Sequence, residues 1–234
     1  KRCTMELGGH APLIVFDDAD IENALNVSAA FKFRNAGQVC ISPTRFYVQD
    51  KIYKVFIEGF KARAEAIKVG NGLEEGVQMG PLIDKRRLPI MEDFVSDAVK
   101  NGAKLEIGGE RIGNLGYFYA PTVMSDVPDN SRIMNDEPFG PLAPITHFNT
   151  FDEVIERSNA LPYGLAAYAF TKDGEKAAKA SEALDAGIIG INHPAVSTPE
   201  TPFGGVDESG YGSEGGIEGL DAFLRTKFVS ELGV

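Results

Sequence analysis

The sequence has few of the features that mark secreted, membrane-embedded or nucleic-acid-binding proteins. It contains only 2 cysteines in 234 residues, too few for a disulfide framework, which favours a reducing, cytoplasmic setting. No stretch approaches the roughly 18 consecutive apolar residues of a membrane helix, so we expect no membrane association. There are 23 Lys and Arg against 34 Asp and Glu, a net charge of -11, which argues against nucleic acid as a partner.

Several common site patterns are also missing. The three histidines, His10, His147 and His193, are far apart and have no ligand spacing, so we expect no metal site. No Ser-His-Asp arrangement is visible, and no G-x-G-x-x-G follows a predicted strand. What remains is an ordinary globular composition, with 43% hydrophobic and 24% charged residues, in a chain long enough to bury a core.

Apolar runs alternate with amphipathic segments along most of the chain. The alternation predicts an α/β fold whose mainly parallel sheet is flanked by helices. Three helix starts are marked by the capping residues Asp20, Thr150 and Asp173. The predicted strands include "PLIVF", "RFYVQ", "LAPITHF", "LAAYAFT", "GIIGIN" and, near the end, "AFLRTKFVSEL". Because ligands in such folds bind beyond the carboxyl ends of the strands, we expect the glycine-rich turns to meet there.

Cys40 lies in a polar turn, "RNAGQVCISPTR", and not in an apolar stripe. A free cysteine is most often a small buried hydrophobe. In this setting it is as well suited to be a thiol nucleophile, with nearby backbone N–H groups to face an oxyanion. The local sequence leaves both interpretations open. Cys3 has no such setting, and we expect it to be buried, inert and alkylated after Cys40.

Two acidic residues also lie in glycine-containing turns. Glu6 in "ELGGH" has the chemistry of a general base if it is partly shielded from water, and it is otherwise a loop carboxylate bonded to backbone N–H groups. Glu137 in "NDEPFGPLAP" can accept hydrogen bonds from paired sugar hydroxyls, with Phe139 beside it. The alternative for Glu137 is an ordinary rigid turn.

Five motifs occur together, in a fixed order, over nearly the whole chain. They are "MELGG", "NAGQVC", "EPFGP", "NALPYGLAAYAFT" and "PFGGVDESGYGSEGG". In this combination the chain resembles the catalytic-domain portion of the aldehyde dehydrogenase superfamily. The resemblance implies oxidation of a small aldehyde to a carboxylate with NAD or NADP.

The resemblance also assigns roles to individual residues. Cys40 would be the nucleophile, and Glu6 the base that activates water. Glu137 would bind the nicotinamide ribose, with Phe139 packed near the nicotinamide ring. At the cofactor amide the resemblance implies a contact from the Leu7 carbonyl, and it places Glu214 in a proton-relay path.

The same resemblance implies a division of the chain. Residues 1–9 would end a cofactor-binding domain and carry the general base, residues 10–206 would form the catalytic domain, and residues 207–234 would contain a C-terminal oligomerisation strand in "RTKFVSEL". Family members are longer at the amino-terminal side, so we expect this chain to be a piece of a longer polypeptide that forms a homodimer or homotetramer. Alone, it is expected to have little turnover, since an oxyanion-hole donor and most of the cofactor pocket would be missing.

Two other functions remain open. A CoA-acylating aldehyde dehydrogenase would pass the acyl group to a thiol, although Glu6 favours transfer to water. A non-catalytic oligomerisation or scaffold role would rely on an exposed sheet edge or on the final strand pairing between chains. The stretch around residues 197–201 suggests, by analogy, a small semialdehyde such as succinate semialdehyde.

Overall fold

The computed structural model describes residues 2–233, and Lys1 and Val234, at the outer ends of the predicted segments 1–9 and 207–234, lie outside it. These described residues form eleven strands: β1 (Met5–Glu6), β2 (Ala11–Val15), β3 (Pro43–Gln49), β4 (Lys104–Ile107), β5 (Thr122–Ser125), β6 (Leu142–Phe148), β7 (Tyr163–Gly164), β8 (Ala166–Phe170), β9 (Ile188–Ile191), β10 (Val206–Asp207) and β11 (Gly210–Tyr211). Six α-helices accompany them: α1 (Ile21–Phe33), α2 (Asp50–Glu65), α3 (Arg87–Lys100), α4 (Arg132–Asn135), α5 (Phe151–Ser158) and α6 (Gly174–Ala183). Two 3-10 helices span Arg34–Gly37 and Glu218–Phe223.

A seven-stranded sheet organises the fold. Its strand order is β4-β5-β6-β3-β2-β8-β9, and every neighbouring pair is parallel except β4 with β5. All five residues of β2 and all five of β8 are buried, as expected for inner strands of a parallel sheet that is covered on both faces. The predicted α/β class with a mainly parallel sheet is therefore confirmed.

The predicted caps start their helices. The Asp20 side chain accepts a hydrogen bond from the Asn23 N–H at 3.1 Å, and Thr150 accepts one from the Glu153 N–H at 3.3 Å. Asp173 accepts from the N–H groups of both Glu175 and Lys176 at the start of α6. Each side chain satisfies N–H groups that have no partner within the helix, which explains why these short local signals could be recognised.

An aromatic cluster fills the space between α1, α2 and β3. The ring of Phe60 lies 5.2 Å from that of Phe46, 5.7 Å from that of Phe56 and 5.9 Å from that of Phe33. All four side chains are essentially inaccessible to solvent. This packing fixes the carboxyl end of α1 against the sheet, and the 3-10 helix that precedes Cys40 begins there.

The carboxyl-terminal stretch differs from its prediction. Residues 218–223 form a 3-10 helix, and the chain then runs in no regular element to Gly233. Phe228 is 89% exposed and Leu232 is fully exposed. The prediction of a strand in "AFLRTKFVSEL" is thus wrong for the single chain, because a strand forms only where a second backbone pairs with it. Its role in oligomerisation stays a prediction.

Two short antiparallel ladders bring distant parts of the chain together. β1 pairs with β11, so that Glu6 lies opposite Gly210, and β7 pairs with β10. The segment that carries Glu6 is therefore fastened to the segment after residue 206. Within residues 2–233, no helix combines the length and apolar character needed to cross a membrane.

Candidate functional site

The motifs singled out in the sequence meet at the amino-terminal edge of the parallel strands. Gly9 comes just before β2, Cys40 just before β3, and Glu137 a few residues before β6. The expectation that they lie beyond the carboxyl ends is therefore wrong. The amino ends of neighbouring parallel strands lie at the same edge of the sheet, and each of these glycine-rich turns leads into the start of a strand. The turns therefore meet at the amino edge.

A strained turn presents Cys40. Asn35, Ala36 and Gly37 adopt consecutive left-handed conformations with φ of 52°, 54° and 68°, which costs energy at the two non-glycine positions. The Asn35 amide donates to the Gln38 carbonyl at 2.9 Å, and the Gln38 amide donates back to the Asn35 carbonyl at 3.0 Å. Gln38 also accepts a hydrogen bond from the Ile83 N–H at 2.9 Å. The turn is thus held by its own side chains and by a neighbouring loop.

The Cys40 turn and the Glu137 turn pack directly on one another. A Cβ at Gly37 would collide with the carbonyl oxygen of Gly140, so only glycine leaves room for this contact. Between Glu137 and Gly140, Phe139 has φ of 43° and is 36% exposed. The two motifs, nearly 100 residues apart in the sequence, therefore behave as one packed unit.

The segment after Glu6 is positioned by a residue that the sequence patterns did not indicate. Ser209 is fully buried. Its backbone carbonyl accepts from the Leu7 N–H at 3.1 Å, and its hydroxyl donates to the Gly8 carbonyl at 2.7 Å while accepting from the Gly164 N–H at 3.0 Å. This serine belongs to the motif "PFGGVDESG", but nothing local in the sequence indicates that it bridges two distant segments.

The Glu6 carboxyl group is in an environment suited to a base. One of its oxygens is buried and has no hydrogen-bond partner among the described residues. Burial raises the pKa of Glu6, and the negative charge of Glu214 raises it further. Such a shift brings a carboxylate toward the pH range in which it can accept a proton. Glu214 itself is exposed and lies close enough to act on Glu6.

The Cys40 thiol is half-buried and near both carboxylates. Burial raises its pKa, and so do the charges of Glu6 and, less strongly, Glu137, while hydrogen bonds from the backbone N–H groups of Ile41 and Cys40 act in the opposite direction. The net effect is a raised pKa, so the resting side chain is a thiol. The charges of Glu6 and Glu137 thus both act on the Cys40 thiol, which links the three residues that were predicted to carry the chemistry.

Glu137 faces the glycines of the Glu6 motif. One of its oxygens accepts a hydrogen bond from the Gly9 N–H at 3.4 Å, and a Cβ built on Gly8 would lie 2.6 Å from the other oxygen. Burial raises the pKa of Glu137, while the Gly9 N–H and the cations Lys32 and Arg87 lower it. The Arg87 guanidinium donates to the carbonyls of Pro138 and Phe139 and thereby holds the turn.

The other residues named from the sequence occupy different environments. The side chain of Leu7 is 45% exposed, on the segment that carries Glu6. His10 is buried and its Nδ1 lies 2.6 Å from the Thr44 hydroxyl. Cys3 is exposed, so the expectation that it is buried is wrong: it precedes the short surface ladder of β1, which covers no core. Among residues 2–233 no group of three or more His, Cys, Asp or Glu side chains could hold a metal ion.

Comparison with known proteins finds a matching family model and similar proteins. The model of the "Aldehyde dehydrogenase family" matches residues 1–229. The chain is 46% identical over 229 residues to the putative 4-(hydroxymethyl)benzenesulfonate dehydrogenase TsaD2 of Comamonas testosteroni, covering 98% of this chain and 48% of that protein. It is 42% identical over 229 residues to the succinate-semialdehyde dehydrogenase [NADP(+)] GabD of Escherichia coli, again covering 98% of this chain and 48% of the relative.

The fold comparison gives the same result. The crystal structure of an aldehyde dehydrogenase from Brucella melitensis biovar abortus 2308 superposes with a TM-score of 0.95 at 43% identity, covering 98% of this chain and 47% of that one. The chain therefore spans about half the length of the curated relatives it matches.

Proposed function

This chain belongs to the aldehyde dehydrogenase family, and from that premise we propose that the protein oxidises an aldehyde to a carboxylate with NAD or NADP through a covalent bond to Cys40. The observation that supports this most is the meeting of Glu6, Cys40 and Glu137 at one edge of the sheet, where the charges of both carboxylates act on the thiol.

The reaction begins at Cys40. Glu6, whose pKa is raised, accepts the thiol proton as the sulfur attacks the aldehyde carbon. A carbon–sulfur bond forms, the carbonyl double bond becomes a C–O⁻ group, and the product is a thiohemiacetal. The Cys40 backbone N–H stabilises the negative oxygen.

The residues around Gly8 fit a nicotinamide nucleotide. A side chain at Gly8 would fill the space next to the Glu137 carboxylate, and its absence leaves backbone and carboxylate open to a flat ligand. Glu137 would hold the nicotinamide ribose, Leu7 would contact the amide through its carbonyl, and Phe139 would pack near the ring. When bound, NAD or NADP would take the hydride from the thiohemiacetal carbon.

Hydrolysis completes the cycle. Loss of the hydride would leave the acyl group on the sulfur as a thioester, and Glu6 first gives the thiol proton up to solvent. Glu6 then removes a proton from a water molecule as the water oxygen attacks the thioester carbon. The carbon–sulfur bond breaks, the product leaves as a carboxylate and a proton, and the Cys40 thiolate takes up a proton to restore the thiol. Glu214, whose charge acts on Glu6, carries the proton onward toward solvent.

We further propose that the aldehyde carries an anionic group. The names of TsaD2 and GabD specify a sulfonate and a succinate semialdehyde. In this chain Arg34 is exposed on the same turn as Cys40. Its guanidinium lies 5.7 Å from the centre of the Phe31 ring, which packs edge-on against Tyr168, and the Tyr168 hydroxyl donates to the Ile41 carbonyl at 2.8 Å. Arginine is well suited to pair with a carboxylate or sulfonate.

An ester substrate tests the Cys40 and Glu6 roles without any cofactor. We expect p-nitrophenyl acetate to acetylate Cys40 in this chain, detected as a mass increase on the Cys40 peptide. The acetyl group should persist several times longer in Glu6→Gln, because no base then activates water. All these variants carry Cys3→Ala, so that the exposed Cys3 contributes no p-nitrophenol. In this background Cys40→Ala should release no p-nitrophenol above background, and the Cys3→Ala single variant, which keeps Cys40, is the matched control. Equal acetyl lifetimes in the wild type and Glu6→Gln would contradict the proposal.

The same assay separates the alternatives. If added CoA thiol removed the acetyl group much faster than water does, the CoA-acylating branch would replace hydrolysis. A chain in which Cys40 is never acetylated would favour a scaffold role. We include in the proposal a cytoplasmic location, on the low cysteine content, and a homo-oligomeric state.

A further inference from the structure

Lys32 is buried in a way that is rare for lysine. It lies in the last turn of α1 and is completely inaccessible to solvent. Its ammonium nitrogen has no hydrogen-bond partner among the described residues. Lysine side chains usually extend their charged ends to water, and an isolated buried charge is costly unless another group compensates it. A compensating group should therefore lie nearby.

Glu137 is the anion that acts on Lys32. Burial lowers the pKa of Lys32 to about 7, and the Glu137 charge acts in the opposite direction. The influence is mutual, because Lys32 lowers the pKa of Glu137. The end of α1 that carries Lys32 lies against the Glu137 turn, because a Cβ built on Gly37 would meet both the Lys32 carbonyl oxygen, at 3.2 Å, and the Gly140 carbonyl oxygen. The Lys32 ammonium has no bonded partner among the described residues, so its charge acts on Glu137 across a poorly solvated interior, where charges interact strongly.

Other titratable groups also act on Lys32 or Glu137. Arg87 also acts on Glu137, but its guanidinium is bonded to the Pro138 and Phe139 carbonyls. Lys32 also acts on His10, which is held neutral because its pKa is lowered well below the usual value by burial and by the cations Arg45 and Lys32. The Glu137 charge also acts on Cys40, whose pKa it raises. Lys32 is thus the fully buried cation that acts on Glu137, and its ammonium group is not bonded elsewhere among the described residues.

We propose that Lys32 is a positioning residue that acts through Glu137: its buried ammonium group keeps the Glu137 carboxylate ionised and oriented toward Gly8 and Gly9, ready to accept hydrogen bonds from a nicotinamide ribose. The ribose part of this inference rests on the proposed function, whereas the pairing of Lys32 with Glu137 does not. A protonated Glu137 would offer one acceptor fewer to a pair of ribose hydroxyls.

Carbon-13 NMR of the whole chain tests the pairing directly. Glutamate labelled at the carboxyl carbon is incorporated, and the Glu137 signal is assigned by its loss in Glu137→Gln. We expect Lys32→Met to raise the pKa of Glu137, because the favourable charge is removed. Lys32→Arg should restore the wild-type titration. The matched control is Lys100→Met, which removes an exposed lysine from the last turn of α3 and should leave the titration unchanged.

Coincident Glu137 titration curves in the wild type and Lys32→Met would overturn the proposal. If Lys32→Met does not fold, the reciprocal measurement decides: linkage requires that Glu137→Gln lower the pKa of Lys32, observed on its side-chain nitrogen. An unchanged Lys32 titration would overturn the proposal equally. Neither measurement uses aldehyde, ester or cofactor, so a failure here is distinct from a failure of the acetyl-enzyme test.

Discussion

At the scale of single residues, the active-site candidates are defined by what surrounds them more than by their own chemistry. Cys40 has a raised pKa because it is half-buried and faces two carboxylates. Glu6 has a raised pKa because it is partly buried and faces Glu214. The resting pair is thus a thiol beside a carboxylate of increased basicity, and proton transfer between them can accompany attack on a carbonyl.

Alkylation measures this coupling. We expect Glu6→Gln to increase the rate at which iodoacetamide modifies Cys40 near pH 7 by roughly threefold, because loss of a neighbouring negative charge favours the thiolate. Cys3, which is exposed, should be modified before Cys40 in the wild type, the reverse of the order expected from sequence. Peptide mass spectrometry over time checks both. A slower reaction of Cys40 in Glu6→Gln would contradict this prediction, because it would show that losing Glu6 as a proton acceptor matters more than losing its negative charge.

The proposed anion selectivity of the site depends on Arg34. Succinate semialdehyde should protect Cys40 from iodoacetamide at lower concentration than butanal does, because only the former carries a carboxylate to pair with the guanidinium. In Arg34→Gln we expect this advantage to fall roughly tenfold, because a charge-assisted hydrogen bond to the carboxylate is lost, with butanal protection unchanged. Arg86→Gln, which changes another exposed arginine, is the control. Equal loss of protection by both aldehydes would contradict a specific role in anion binding.

At the scale of elements, one carboxylate ties the end of β2 to the start of α6. Asp18 accepts hydrogen bonds from the Thr171 hydroxyl at 2.7 Å, the Asp173 N–H at 2.9 Å and the Lys176 ammonium at 2.9 Å. Burial by itself would raise the pKa of Asp18, but the bonds from Lys176 and Thr171 outweigh it and lower the pKa to about 2. The connection therefore stabilises the fold when the Asp18 carboxyl group is ionised.

Replacing this carboxylate should cost stability in a pH-dependent way. We expect Asp18→Asn to lower the free energy of unfolding at pH 7 by about 1–2 kcal/mol, after allowance for solvent screening of a partly exposed group. The contribution is present above the ordinary carboxyl pKa of 3.8 and is lost as the pH falls toward 2. Urea unfolding at pH 7 and at acid pH checks it. A difference between wild type and variant that did not shrink in acid would contradict the linkage.

At the scale of the whole molecule, the chain leaves two surfaces that are suited to self-association. β9 pairs with β8 on one side only and forms an edge of the main sheet. The 3-10 helix Glu218–Phe223 and the irregular stretch that follows it expose the apolar side chains Leu220, Phe223, Leu224, Phe228, Val229 and Leu232. Apolar surface of this kind commonly marks an interface, and an unpaired edge accepts a strand from another chain.

Light scattering after size-exclusion chromatography tests for such association. We expect the chain to associate in a concentration-dependent way, and Phe228→Asp to shift it toward the monomer, because a charge would be buried in the interface. Leu73→Asp is the matched control, since Leu73 is 94% exposed on a distant loop. A wild-type chain that stayed monomeric at high concentration would contradict self-association through this stretch.

Local signals in the sequence were sufficient for much of the fold. The capped starts of α1, α5 and α6 depend on residues a few positions apart, and β2 and β3 depend on short buried runs. Such features follow from backbone hydrogen bonding and hydrophobic burial within one segment. The motifs of the aldehyde dehydrogenase family likewise identified Cys40, Glu6 and Glu137 as candidates, since each motif is contiguous.

Only the tertiary structure decided what depends on residues distant in sequence. It brought the motifs to the amino edge of the sheet and not the carboxyl edge, exposed Cys3, and left "RTKFVSEL" without a partner strand. It also revealed the hydrogen bond from Ser209 to Gly8 and the complete burial of Lys32. The physical reason is the same in each case. Burial, pKa and strand pairing depend on which surfaces come into contact after folding. The periodicity of a sequence segment predicts its own secondary structure but not which other segments will lie next to it.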